Sequence, residues 1–550
     1  MLTLTIAAIL LVALLAHLTG RSATDAGSAL TRALNSRASV AAIFLTTFVV
    51  LWYSWASWNP IPVVHDEMAY VLQAQIFARG RWALPSPPMP AFWEQPHVLV
   101  EPMLAAKYFP GHALVMTVGA LAGWPPLMPL ALQSTTAVLL YVLARRVASG
   151  GVAMLAWMVW LCAPLVLYYG PSYFSEATTT MCWLAGWYAL LEWRSTRALH
   201  WLLAVALFTG WDAVTRPLTG LAYAIPIGIV VVRDVVVGRR WRDFALAFAL
   251  GTAVMSILPI WSAHTTGDWR VTPQTLYTRM YMPYDVPGFG LVTTTPTHSI
   301  TPDLQQLNNG FRAVHAKHVP STLLTALSAR SRNLAASTWG ETGGVLVIFA
   351  VLGLFTLSRA TMLAVASGVL LLVMYLLYAT PAQWTLYYYE SMPAFAYLSA
   401  AGIAWAAAMI GRPVATLQSP SFHWRSPRWS RALVAGALAL AMPGAVALGM
   451  LHRQHIIDRK FLVRFDALLE AIHDPRAVVF VRYAPTHNAN ATFVRNVADL
   501  AKERVWVVYD RGDSENARLL ALAPERKAYL FDESKGHTSS YDPLARRVQP

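Results

Sequence analysis

Charge is scarce in this chain. Asp, Glu, Lys and Arg make up 13% of its 550 residues, against 56% that are hydrophobic, whereas a soluble domain carries about 25% charged residues. That shortage excludes an ordinary soluble globule, because no core of this size takes up so many apolar side chains; lipid has to act as solvent. Cysteine is nearly missing. The two present, Cys162 and Cys182, fall inside apolar runs, which excludes a disulfide framework and leaves the compartment undecided on that ground. The histidines are scattered without His-Glu-x-x-His spacing, so no cofactor and no obligatory metal are expected. No Gly-rich loop follows a strand, and no basic patch is interleaved with aromatics. Nucleotide and nucleic-acid partners are therefore not expected, despite a net charge of +14.

What the chain has instead is a series of apolar runs near the ~20 residues a helix needs to cross a bilayer. They lie at 2–19, 40–58, 126–144, 150–169, 176–192, 199–214, 217–235, 243–262, 342–358, 361–379, 393–411 and 432–450. A further run, 111–124, is short and reads as an interfacial helix. With 111–124 not crossing, the arginine-rich connections (Arg21, Arg32, Arg37; Arg145, Arg146; Arg194, Arg197; Arg233, Arg239, Arg240, Arg242; Arg359; Arg412, Arg425, Arg428, Arg431) all fall on one side. The positive-inside rule makes that side cytoplasmic. The expected fold class is a polytopic α-helical membrane protein of about 12 transmembrane helices over 1–450, with outer loops at 59–125 and 263–341. Residues 451–550 then form a small extracytoplasmic α/β domain. The expected location is the bacterial cytoplasmic (inner) membrane, the first run being a retained helix and not a signal peptide because no basic residue precedes it.

In the tail, Ala477–Tyr483, Arg504–Tyr509 and Ala528–Phe531 read as strands; Asn490–Lys502 and Ser514–Leu522 read as helices, giving a partly parallel sheet. His487, Asn488, Asn490, Asp510 and Asp513 fall near expected strand ends, where open sheets bind ligands. A solvated loop cap is the plainer alternative.

The chemistry is expected in the first outer loop. Val63–Tyr70 (VVHDEMAY) places His65, Asp66 and Glu67 at the start of a helical pattern continued by Met68, Val71, Leu72, Gln75 and Ile76. Acidic residues at a helix start also serve as caps. However, Lys107 in AKYFPG and His97 and Glu101 in a Trp- and Pro-rich stretch share the same long loop, and long loops of this kind more often carry function. Transfer to a hydroxyl needs a carboxylate to take the proton and a cation for the departing anion. Asp66 and Lys107 supply one of each. Arg216 precedes Pro217 between two runs, and an ionisable residue at that depth is a functional candidate or a headgroup contact. Tyr387, Tyr388 and Tyr389 fit an aromatic belt, with Glu390 beside them.

The ordered set resembles the GT-C superfamily of membrane glycosyltransferases, and within it the protein O-mannosyltransferases and the lipid A aminoarabinose transferase. It comprises an outer Asp-Glu pair, Lys-x-x-Pro-Gly before a short apolar helix, and a span ending Leu-Ala-Arg-Arg. After these come PSYFSEA with Glu176, TGWDAVTRP with Asp212 and Arg216, TGDWRVTP and YDVPGFG. The resemblance covers roughly residues 40–450. It implies Asp66 as catalytic base, Glu67 as second acid of the pair, and Lys107 and Arg216 as contacts to a lipid phosphate. His65, His97, Glu101, Glu176, Asp212, Tyr388, Tyr389 and Glu390 are further substrate-binding candidates. The family's late Arg-Tyr pair is absent from Trp384–Glu390 (WTLYYYE). The superfamily's acidic pairs sometimes hold a divalent metal. The implied partners are a polyprenyl-phosphate sugar donor, an acceptor glycan, lipid or protein, and membrane lipids. The implied reaction is an inverting displacement. A transporter or flippase of a lipid-linked glycan and a non-catalytic cell-envelope scaffold are the alternatives.

Overall fold

The computed structural model describes residues 32–298, 301–340, 344–409, 428–488 and 492–543. The expected span 2–19, with Arg21, Arg412, Arg425 and Asn490, lies outside the described residues. The described chain is mostly helical. Five of its helices are long and apolar enough to cross a membrane: Arg37–Trp55, Leu127–Val147, Pro217–Gly238, Trp241–Thr266 and Arg359–Leu377. Their outward faces carry Val237, Phe248 and Ile229 in the open; such faces suit hydrocarbon, where helices satisfy their own backbone groups. The protein is a multi-pass membrane protein.

Helices Glu176–Thr196, Leu199–Thr215 and Met392–Met409 pack into the same bundle. One crossing has almost no room: a Cβ at Gly402 would meet the Phe349 carbonyl oxygen at 1.7 Å, and one at Gly353 the Leu398 oxygen at 2.1 Å. Helices Gly344–Gly353 and Met392–Met409 touch backbone to backbone there, the close approach that small residues allow. The run expected at 150–169 is broken into Gly150–Leu161 and Pro164–Tyr169, because Pro164 cannot extend the first helix but starts the second well.

The first loop is itself folded. Leu84–Pro85 (β1), Val98–Leu99 (β2) and Met103–Ala106 (β3) form a small antiparallel sheet in the order β1-β3-β2. Helix Pro110–Leu121 follows. Its 12 residues reach about 18 Å, too short to span.

Arg428–Glu470 is one helix of 43 residues that runs straight through position 451. Where it leaves the bundle, the His455 ring lies 2.7 Å from the Ser54 carbonyl and 3.1 Å from that of Tyr168. The tail sheet has the order β5-β4-β6-β7, made of Ala477–Arg482 (β4), Val505–Tyr509 (β5), Lys527–Asp532 (β6) and His537–Ser540 (β7). The first three are parallel and β7 is antiparallel to β6. Alternation along β4 decides what each face covers. Val478 and Phe480 pack with Leu72, Ile76, Phe92 and Trp93 of the first loop. Ala477, Val479 and Val481 pack with Met68, Leu462 and Phe465. The tail and the first loop thus share one core.

The helix expected over 490–502 is not formed; the described residues 492–502 are irregular. The apolar spacing that suggested it serves burial of a non-helical segment. Phe493 packs on Phe465 at 4.7 Å and Phe531 at 5.2 Å. Asn496 is pinned by its N–H to Gln95 Oε1 (2.8 Å) and its Nδ2 to the Trp93 carbonyl (2.7 Å).

Candidate functional site

Helix His65–Ala78 opens with two carboxylates in very different surroundings. Glu67 is buried. Its Oε2 accepts from the Val63 and Val64 amides (3.1 and 3.2 Å), and its Oε1 from the Tyr173 amide (3.1 Å). Burial raises its carboxyl above the ordinary range, opposed by those amides and by Arg459. Glu67 therefore caps its own helix and ties it to the loop before Glu176. Asp66 is turned the other way. Its side chain is 32% exposed, with His97 Nε2 3.8 Å from Oδ2. Tyr108 donates to Oδ1 at 2.5 Å.

Lys107 sits next to that tyrosine. It is buried, with its ammonium 5.2 Å from the Tyr108 ring centre and 5.0 Å from that of Tyr277, an arrangement that steadies a cation without neutralising it. Among the described residues no carboxylate forms an ion pair with it. Burial lowers its pKa, and the charges of Asp285 and Asp66 oppose that shift. His97 is held well below its ordinary value, first by burial and then by Lys107 and His65, so it stands neutral beside Asp66. Its own amide donates to the Tyr277 hydroxyl (2.9 Å), and its carbonyl accepts from the Lys107 amide (2.9 Å). The loop is thereby folded back so that residues 66, 97 and 107 meet. Asp285 faces His315 at 3.7 Å, and its carboxyl is lowered, burial notwithstanding, by His315 and then Lys107.

A second charged group lies among the helices. Pro217 forces the preceding residue out of helical geometry. Arg216 accordingly sits at φ −144°, ψ 90° between helices Leu199–Thr215 and Pro217–Gly238. Its Nη1 donates to Glu176 Oε1 and to Ser175 Oγ (3.2 Å), and its Nη2 to the Tyr375 hydroxyl (3.0 Å). Its Nε lies 3.7 Å from Glu390 Oε1. Tyr387 covers the guanidinium at 5.6 Å. Thr179 donates to Glu390 Oε1 at 2.6 Å, while Glu390 Oε2 is buried without a partner. Burial raises the Glu390 carboxyl. Glu390 also lines an otherwise apolar cavity of about 80 Å³ with Leu140, Trp183, Trp187, Ala364 and Tyr397. Asp212, one turn before Arg216, is fully buried with neither oxygen hydrogen-bonded. The two groups are joined by Tyr70, which stacks on Tyr108 at 4.7 Å and stands beside Glu176, Arg216 and Ser175.

The structure thus brings Asp66, Glu67, His97 and Lys107 together, and separately Glu176, Arg216, Asp212 and Glu390. His65 is buried with its ring 6.0 Å from His97. Glu101 faces elsewhere, 4.0 Å from His298, which itself pairs with buried Glu94 at 3.1 Å. Tyr388 and Tyr389 are fully buried and do not form an exposed aromatic belt; Tyr387 is the one at Arg216. The tail residues are occupied in turns: His487 pairs with Glu533 (2.8 Å), and Asp510 takes Arg482 (2.6 Å) and Asn516 (2.7 Å). Sequence spacing does not mark Tyr108, Tyr70 or Asp285 as site residues, and it assigns Tyr387 only to an aromatic belt. Among the described residues no group of three or more His, Cys, Asp or Glu is arranged to hold a metal ion.

No family model matches the chain, and no curated protein matches it. Solved structures do. ArnT from Cupriavidus metallidurans in the apo state is similar with a TM-score of 0.50 at 15% identity, over 90% of this chain and 93% of that one. ArnT from the same organism bound to undecaprenyl phosphate gives 0.47 at 16% identity, over 91% of each chain. The Archaeoglobus fulgidus oligosaccharyltransferase in the apo form gives 0.41 at 10% identity, over 90% of this chain and 69% of that one. The likeness to apo ArnT shows the fold, which is GT-C-like.

Proposed function

We propose that this protein, a multi-pass chain with a GT-C-like fold, is an inverting glycosyltransferase. It moves a sugar from a polyprenyl-phosphate donor to an acceptor hydroxyl on a glycan, lipid or protein. We place it in the bacterial inner membrane with its site and its tail domain on the outer side. A fold of this kind does not by itself fix an activity; the reading rests on the site. The observation that carries it is one juxtaposition: a partly exposed carboxylate, Asp66, held by Tyr108, beside a buried ammonium, Lys107, that no carboxylate among the described residues pairs with.

In this reading the acceptor hydroxyl gives its proton to Asp66 as its oxygen attacks the anomeric carbon from the face opposite the phosphate. The bond from that carbon to the phosphate oxygen breaks, and the anion leaves towards Lys107, with Arg216 as a second contact. A preorganised cation at the departing charge is worth most in a water-poor site. Glu67, whose oxygens are taken by three amides, orients the helix start and leaves Asp66 free to act.

The test is transfer by the purified protein in detergent from a polyprenyl-phosphate sugar. Product formed without a sealed bilayer supports an enzyme. Lipid movement that needs a sealed bilayer, with no product in detergent, supports a flippase and contradicts this reading.

A further inference from the structure

Arg216 is bracketed by two acids, and they hold it unequally. Glu176 takes a direct charge-assisted hydrogen bond on Oε1, and its Oε2 accepts from Ser175 at 3.3 Å. Glu390 approaches the guanidinium only to 3.7 Å and takes a side-chain hydrogen bond from Thr179, and among the described residues its Oε2 is buried without a partner. One guanidinium against two carboxylates leaves the group short of positive charge, and Asp212, buried without a hydrogen bond one turn before Arg216, is a third acid beside Glu390. Among the described residues the other ionisable groups near Glu390 are phenols, Tyr375, Tyr389 and, across the cavity, Tyr397. An arriving phosphate makes the deficit worse. Three anions around one guanidinium repel strongly where water is sparse, and phosphate is a better bidentate partner for arginine than a carboxylate at 3.7 Å. The weakest-held acid is the one to yield, and its bare oxygen is where a proton can sit.

We propose that Glu390 is the resting counter-ion of Arg216, that the donor's phosphate displaces it, and that it takes up one proton from solvent as it lets go. This deepens the reading given above and rests on it. Glu390 is a positioning residue: it keeps Arg216 placed while the site is empty and sets the pH range over which the donor binds. By linkage, a ligand whose binding adds a proton binds more weakly as pH rises through the range where the free protein has lost that proton.

The test uses the full-length protein in detergent and undecaprenyl phosphate as probe, followed by titration calorimetry in two buffers of different ionisation enthalpy. Above pH 7.5 the phosphate is already a dianion (second pKa about 6), so its own titration contributes little. The wild type is expected to take up close to one proton on binding, and its affinity to fall up to about tenfold per pH unit. Glu390→Gln is expected to take up nearly none, to lose that slope, and to bind more tightly than the wild type at pH 8.5. Binding by the wild type with no proton uptake, or a Glu390→Gln variant with the wild-type slope, overturns the proposal while leaving the donor reading standing. No binding by the wild type at any pH overturns the donor reading and this proposal with it. The wild-type measurement decides even if the variant does not fold.

Discussion

Lys107, buried, and Arg216, largely enclosed with its side chain 14% exposed, lie near the same tyrosine stack, but the protein surrounds them differently. Lys107, in the loop-built half, rests on two aromatic rings with no ion-paired carboxylate among the described residues. Arg216, in the helix-built half, lies between Glu176 and Glu390. The same contrast runs through the acids. Asp66 in the loop is a third exposed, with a single phenol donor, whereas the helix-borne Glu176 and Glu390 are sealed in. Burying a charge without a partner is costly. The loop half bears that cost, as sites that must meet a ligand do, while the helix half is already neutralised in part and must exchange partners to take part. Chemistry is therefore assigned to the loop half, and adjustable grip to the helix half.

The comparison breaks most sharply at Asp66. Asp66→Asn keeps the shape and loses the base, so turnover should fall about 10²–10⁴-fold, measured as product per time with the melting temperature unchanged. Lys107→Ala should cost about 10²–10³-fold in kcat. Lys107 also carries a pH signature. Its pKa is lowered by burial, so the cation is present at low pH and is lost on raising pH sooner than for an ordinary lysine. The alkaline limb of the activity profile should therefore fall early in the wild type and move upward in Lys107→Arg, which stays charged. Tyr108→Phe removes the hydrogen bond that Asp66 accepts from the Tyr108 hydroxyl and should slow turnover about tenfold. The smallest effect on rate is expected at Asn496→Ala. It removes the Nδ2 donor from the Trp93 carbonyl while the backbone N–H of residue 496 still reaches Gln95, lowering stability by about 1–3 kcal/mol, read as a lower melting temperature with near-normal turnover well below it. A large loss of turnover there would mean that the tail contributes more than support.

Deleting 455–550 would not separate an acceptor-binding tail from a structural one, because the tail and the first loop share a core through Phe480, Val478, Phe92 and Trp93. Point changes such as Asn496→Ala are needed instead.

Asp66 and Lys107 were legible because an acidic pair at a helix start and a lone lysine in the same loop stand out in a chain so poor in charge. Their tyrosine link was nearly so: Tyr108 adjoins Lys107 in the same motif, but adjacency does not say which way a ring turns. Asp285 lies in a noted motif, yet no local spacing rule connects it to a lysine 178 positions earlier. Three consecutive tyrosines could not be ranked from sequence. The tight 3₁₀ turn over Thr385–Ser391 decides that Tyr387 meets Arg216 while Tyr388 and Tyr389 turn inward. The tail strands were readable from their β-branched runs. The segment 492–502 misled because apolar spacing reports burial and does not by itself distinguish a helix from a chain pinned by Asn496 and Phe493.

The most direct test of the central claim is an experimental structure with undecaprenyl phosphate bound. The account predicts its phosphate within hydrogen-bond reach of the Lys107 ammonium, on the side of Asp66, with its chain leading out between helices. A head group seated elsewhere, with Lys107 still resting on Tyr108 and Tyr277 and no path from it to Asp66, would contradict it.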